Sequence, residues 1–520
     1  MATGMDTAIE RGPGLRCLHA VSVRRVAMAA IASLGGSIAY GGSWVVEPQV
    51  AVSTDYSSNM ALATSSPLSG WTTDVAPGLR VNGAGARLKG FLDYKRDYLT
   101  YSANSGWNRQ ANQLSSFGNL EVVEKWFYVD ASANIFQRNL FVFGPTSTNQ
   151  LYAGAALGET KTYQVAPYIR GRLSSVAEYL VRADSIESKS NDPALVPTRV
   201  NQLVGSLKSL ATSGIIGWFT DFGETRVRND VLGTRGDDRV RGGLIVSLGA
   251  RAHLSLSEGR ETTDFASAEK VTASTPGVGF DWSPTQHTKI AALGERRFFG
   301  NGHNLVFMHT TPMTAWKYSD IKDFTVLPLA LAGFNPGSIY ELMSNLLEAS
   351  IADPLERSRV VRARLDELAA SAPVAGGGGL QTSRFYIDRV QEASAALLGK
   401  RNTVTLVFSQ RTDQLPAFAP PAVDNFSQYD SDIRQRNATL TWLHYLTPRT
   451  TTNIAVIRTV TDGLNTGAAR SKQSIAAGTV TVRVTQKTSA AIGVRETRGD
   501  NTLMGSFHEH ALLGSLVQRF

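Results

Sequence analysis

The chain ends EHALLGSLVQRF, residues 509–520. The stretch mixes polar and apolar residues in strand-like alternation and stops on an aromatic, Phe520, an ending typical of bacterial outer-membrane barrels. The residues upstream read the same way. In TVTVRVT, residues 479–485, Val480, Val482 and Val484 share one face, and Thr479, Thr481, Arg483 and Thr485 share the other. Val404, Leu406 and Phe408 oppose Thr403, Thr405, Ser409 and Arg411. Val240, Leu244, Val246 and Leu248 oppose Arg239, Arg241 and Ser247, although Ile245 interrupts the polar set. A period of two sends alternate side chains to opposite faces of a strand.

Alternation alone also suits a soluble sandwich or a solenoid. No fixed-period repeat supports a solenoid. Several strands read longer than the roughly 5–6 residues usual in soluble sheets. A tilted bilayer crossing needs about 9–11 residues. Length therefore favours an all-β, closed, antiparallel transmembrane barrel, with apolar faces toward lipid and polar faces toward a lumen.

Composition agrees. The 520 residues are 42% hydrophobic and 18% charged, and no run after the N-terminal segment is apolar enough for a membrane helix. The net charge of +8 is scattered, without the dense basic run of a nucleic-acid binder. Cys17 is the only cysteine and precedes the expected export cleavage, which excludes intrachain disulfides and cysteine metal sites from the mature chain. Arg24 and Arg25 precede VAMAAIASLGGSIA, residues 26–39, where Ser37 and Ala39 form a small-x-small cleavage pattern. Residues 1–39 thus read as a signal-containing segment and 40–520 as the barrel domain. The basic region is unusually long, which makes Met5 an alternative start.

The first strands read as Trp44 to Tyr56, Asp74 to Asn82 and Arg87 to Tyr101. Short turns follow near Lys125, Gly171, Ser213, Arg251, Pro284, Pro312, Gly399, Pro448 and Gln486. Longer polar loops alternate with them near 57–71, 102–111, 142–160, 186–199, 262–274, 412–429, 462–471 and 499–505, with tighter links at 230–237 and 300–302. Short turns on one side and long loops on the other form the outer-membrane pattern. Counting crossings predicts about 22 strands, with 18 to 22 as the range. Residues 337–370 break the rhythm. Leu342, Leu346 and Leu347 take helical spacing after a cap at Ser338. Asp353-Pro354 begins a second helix whose apolar face is Val360, Val361, Leu365 and Leu368. The insertion sits on the long-loop side, as a cap on the mouth or a body folded into the lumen.

Little in the sequence suggests catalysis. No serine elbow, HExxH, nucleotide loop or calcium loop stands out. A barrel enzyme would need a serine with a histidine partner, and none can be chosen. His508 and His510 flank Glu509 on one strand face, but no third metal ligand can be named from sequence. The chain is therefore expected to be non-enzymatic, with no cofactor and no resident metal. The pore-lining candidates are Arg87, Lys89, Asp93, Arg239, Arg241, Arg411 and Arg483, with Lys95 and Asp97 continuing the parity of Asp93. Their structural role is an ion-pair ladder, and their functional role a charged path for a polar solute. Arg96 falls on the opposite face, near the outer rim. Trp44, Trp126, Phe127, Tyr128, Trp282, Trp316, Tyr318, Trp442 and Tyr445 lie near strand ends and read as interfacial girdles.

WVVEPQVAVSTDYSSN (44–59), DYKRDYLTY (93–101), WKYSD (316–320) and DPLER (353–357) resemble the PEP-CTERM-system-associated outer-membrane β-barrel proteins over residues 44–520. That resemblance implies a bacterial outer-membrane setting, linkage to exosortase and exopolysaccharide gene sets, and no catalytic residues. The expected function is a porin-like conduit for exopolysaccharide secretion; the alternative is a nonconducting structural or assembly barrel. Expected partners are outer-membrane lipid, exopolysaccharide, periplasmic export components and the barrel-assembly machinery, with no nucleic acid.

Overall fold

Each crossing bonds to the crossing before it and the crossing after it, and the last returns to the first. The computed structural model describes residues 43–520 except 140, 146–156, 192–194, 211–214, 232, 266, 268, 327–337, 349–350, 352–356, 358–359, 362–363, 366–384, 417–431 and 466–468. The expected signal segment lies outside the described residues. The first strand, Ser43–Ser57, pairs antiparallel with Gly70–Ala84 on one side and with the final strand, Gly505–Arg519, on the other. Pairing from Gln49↔Arg519 to Ser57↔Ala511 closes the sheet, and Phe520 N–H donates to the Pro48 carbonyl at 2.9 Å. Closure leaves no unpaired strand margin to face lipid.

Among the described residues there are 23 strand segments but 22 crossings. Val271–Ser274 and Gly277–Thr285 both pair with Ala252–Thr263 and form one interrupted crossing. Pro276 sits at the break, where its missing N–H cannot serve the ladder. The first three expected strands are observed as Ser43–Ser57, Gly70–Ala84 and Leu88–Tyr101. Arg87 therefore belongs to the short connection and not to the strand. Gly171 lies inside Leu157–Leu173, and the turn comes three residues later at Ser174, which takes a left-handed φ of 53°. The turn expected at Ser213 lies outside the described residues.

The alternation resolves as expected. Leu244, Ile492, Val494 and Phe408 all point outward, with more than half of each surface uncovered. Their lumen-facing neighbours Thr403, Thr405 and Thr479 are buried. Trp126, Trp282, Trp316 and Trp442 are exposed outward near the short-turn ends, as a lower girdle requires. Two aromatics expected in that girdle turn inward. Tyr128 is buried against Tyr168 with ring centroids 5.1 Å apart, and Tyr445 packs inside the barrel. Both share parity with lumen residues, which overrides their position near a strand end.

Above the apolar belt the outward face turns charged at a similar depth on many strands. Arg96 follows Leu92 and Tyr94, Glu224 and Arg226 follow Phe222, and Glu258 and Arg260 follow Leu256. Arg458 follows Val456, Arg436 lies beyond Leu440, and Glu496 and Arg498 follow Val494. This collar lies toward the long loops, where Arg226 bridges Asp238 at 2.7 Å and Arg436 bridges Asp462 at 2.5 Å.

Candidate functional site in the barrel lumen

A 22-stranded barrel is wide enough to hold a plug or a water-filled channel. Here, among the described residues, charged networks and helical parts of the insertion line its inner wall. The largest described network draws on five strand segments. Glu261, fully buried, binds Arg297, which also reaches Glu295 at 3.3 Å and Asp323 at 3.2 Å. Glu295 then accepts from Arg239 at 2.8 Å and Arg241 at 2.9 Å, and Arg241 continues to Asp221 at 2.7 Å. The sequence placed Arg239 and Arg241 on the lumen face; it could not show that Glu295, more than fifty residues away, joins them.

The other candidates separate. Arg411 binds Asp388 at 2.8 Å and Asp413 at 3.0 Å. Asp93 is held by Arg80 at 2.7 Å on the neighbouring strand, and Lys95 meets Asp97 at 3.2 Å. Lys89 lies across from Ala84 and Asn119 on the lumen face, exposed near the short-turn opening. Arg483 is likewise exposed at that end of its strand, and Arg87 is exposed in the turn. Arg96 is outward, as expected, and donates to Gln110.

A further network closes the seam between last and first strands. Arg495 and Glu509 are each 3% exposed at the side chain and bond at 2.9 Å. Thr497 and Ser57 hydroxyls donate to Glu509 at 2.9 and 2.8 Å, and Asp55 stands 3.6 Å from Arg495. Charges removed from water this completely need such satisfaction on both sides.

The insertion enters the lumen. Its helix, Ser338–Glu348, buries Leu342, Met343 and Leu346. Leu342 and Leu346 pack on Ala315 and Ala396, whose short side chains let the helix approach the wall. Met343 packs with Val361, Val407 and Leu443, with Leu347, Leu365 and Tyr445 around them. Arg364 donates to the Tyr445 hydroxyl and lies over its ring at 4.7 Å. Residues 360–361 and 364–365 are helical, in accord with the expected second helix, whereas Asp353, Pro354 and Leu368 lie outside the described residues. Of the two placements the sequence left open, the inner wall toward the short-turn end is the one observed.

No protein-family model matches the chain, and no curated protein matches its sequence. Similar solved structures include the ferric enterobactin receptor PfeA of Pseudomonas aeruginosa, 9% identical over 92% of this chain and 82% of that one, with a TM-score of 0.44. The siderophore receptor PirA of Acinetobacter baumannii is 8% identical over 91% of this chain and 80% of that one, with a TM-score of 0.45. The FrpB iron transporter of Neisseria meningitidis is 11% identical over 91% and 81%, with a TM-score of 0.36. For this chain, the closed wall with its apolar belt and aromatic girdle is the architecture of the bacterial outer membrane, and that is where it resides.

The long-loop mouth is narrowed from two directions. Ile186, Val200 and Val227, on three adjacent strands, form one buried cluster with Val326 and Phe385, on two adjacent strands elsewhere in the sheet. Phe265 stacks on Phe385 at 4.3 Å and on Phe324 at 5.6 Å, extending the cluster. Asn501, near the seam, donates to the Phe143 carbonyl at 2.6 Å, so the segment 141–145 reaches a strand several places away. Such contacts can form only across the opening.

Proposed function

We propose that this chain is an outer-membrane conduit whose passage is restricted by its own insertion. The observation that supports it best is the helix Ser338–Glu348, seated by Leu342, Met343 and Leu346 on the lumen wall. Apart from that apolar seat, hydroxyl, amide and paired charged groups line much of the wall. They offer hydrogen bonds to a hydrated polar solute. A polysaccharide segment suits that chemistry, and the resemblance at residues 44–59 and 93–101 points to exopolysaccharide secretion. Transport is passive in this reading, with the helix deciding how much of the lumen is open.

Planar-bilayer conductance of the full chain, compared with a variant whose residues 338–365 are replaced by a glycine-serine linker, tests the restriction. The variant should conduct more than the parent. Polysaccharide added to one side should then block its current in a length-dependent manner. A folded variant that conducts no better than the parent would end the reading.

A second reading is favoured by the contacts across the mouth. The cluster of Ile186, Val200, Val227, Val326 and Phe385 makes a permanent closure if it does not open, and the chain is then a nonconducting structural or assembly barrel. Absence of conductance in both forms, with folding verified by heat-dependent gel migration, selects this alternative.

A further inference from the structure

The two histidines of the last strand gain a partner that only the register supplies. On Gly505–Arg519, Glu509 turns into the lumen and joins Arg495, whereas His508 and His510 turn outward into the charged collar. The preceding strand places Glu496 directly opposite His510, and Arg498 opposite His508. The histidine rings lie 4.2 Å apart, nearly perpendicular, and His508 Nε2 is 3.3 Å from Glu496 Oε1. The donor atoms of Glu496, His508 and His510 all lie within 4.8 Å of one another. Among the described residues it is the one group of three or more such ligands so assembled.

We propose that Glu496, His508 and His510 form a divalent transition-metal site of zinc type on the outer rim of the barrel seam. Two imidazoles and one carboxylate are a three-ligand set that leaves a fourth position to water. Bonds of about 2.0–2.2 Å would bring the donors a little over 3 Å apart. All three side chains are open to the outside, so an ion enters without passing the lumen. Arg498 is the competitor: it holds Glu496 Oε1 at 2.5 Å, but it is 71% exposed and free to turn away.

Position gives the site a role. The histidine strand is bonded to the start of the first loop by Ser58 N–H to the His510 carbonyl at 2.9 Å and His510 N–H to the Ser58 hydroxyl at 2.9 Å. A bound ion would fasten the last two strands together beside the place where the barrel closes.

The full chain, without a polyhistidine tag and folded in detergent micelles, is to be dialysed against zinc chloride and its bound zinc measured. One equivalent should be retained per chain, and the thermal midpoint should rise with zinc, because an ion held by the folded state alone stabilises it. His510→Ala should weaken binding by more than about tenfold, since even an indirect partner of a metal ligand is worth about 10–100-fold. Arg498→Ala should tighten it. Heat-dependent gel migration checks that each variant is folded. If the parent retains no zinc, or if His510→Ala and Glu496→Gln retain as much as the parent, the cluster is an ion pair with two adjacent histidines and the proposal is overturned.

Discussion

Arg495 and Glu509 show what single residues contribute at the seam. Each is nearly inaccessible, and Glu509 also accepts from Ser57 and Thr497. Removing one partner of such a pair strands the other charge, at about 3–5 kcal/mol. Arg495→Met should therefore lower stability by that order in urea titrations of refolded protein. The double variant Arg495→Met, Glu509→Leu should lose less than the two single losses added together. Additive losses would mean the pair is uncoupled. Gly259 is a second test, because it lies opposite Arg241 on the neighbouring strand. A Cβ there would come within 2.4 Å of the Val240 carbonyl oxygen and 3.0 Å of the Arg241 Cα, both backbone atoms that cannot swing aside. Gly259→Val should destabilise by about 1–3 kcal/mol in the same titration; an unchanged midpoint would show that the wall yields there. Sequence parity had already placed Arg239, Arg241 and Arg411 inside. It could not supply Glu295, Glu261 or Glu496, since cross-strand partners follow from register and not from local pattern.

The lumen helix shows what the sequence makes legible at the level of one element. Its leucine spacing marks a helix, but that spacing alone does not choose between the mouth and the lumen. A signal existed in the wall: Val407 interrupts the polar lumen series Thr403, Thr405, Ser409 and Arg411, and Leu443 follows Thr439 and Thr441 on the next strand. Apolar residues on a face otherwise in contact with lumen water require a covering partner, and Met343, Val361 and Leu365 supply it. Fully burying side chains of this kind contributes about 1.5–3 kcal/mol each. Leu342→Glu should unseat the helix while the barrel, whose ladder does not depend on it, stays folded. Limited proteolysis should then cut within 338–365 faster than in the parent, with heat-dependent migration unchanged. Equal cutting rates in the two proteins would show that the helix is not held by this face.

At the scale of the whole molecule, the 22 crossings were countable because each hairpin must return the chain to its starting side. The split crossing at Pro276 leaves that parity intact. Vertical position was harder to read, because a residue near a strand end can face lipid or lumen, as Tyr128 and Tyr445 demonstrate. The outward faces now define a depth scale, from the lower tryptophans through the apolar belt to the charged collar. Hydrocarbon excludes charge most strongly at its centre, so the same substitution should have different consequences along that scale. Ile492, outward and 62% exposed, lies within the belt between Ala490 and Val494, and Thr100 is outward at the long-loop end of its strand. Ile492→Arg should destabilise the protein in phospholipid vesicles by about 2–4 kcal/mol, and Thr100→Arg by about 0–1 kcal/mol. Reversible urea unfolding from vesicles measures both. Losses of equal size would remove the depth difference between belt and collar, and with it the assignment of which residues meet the membrane interior.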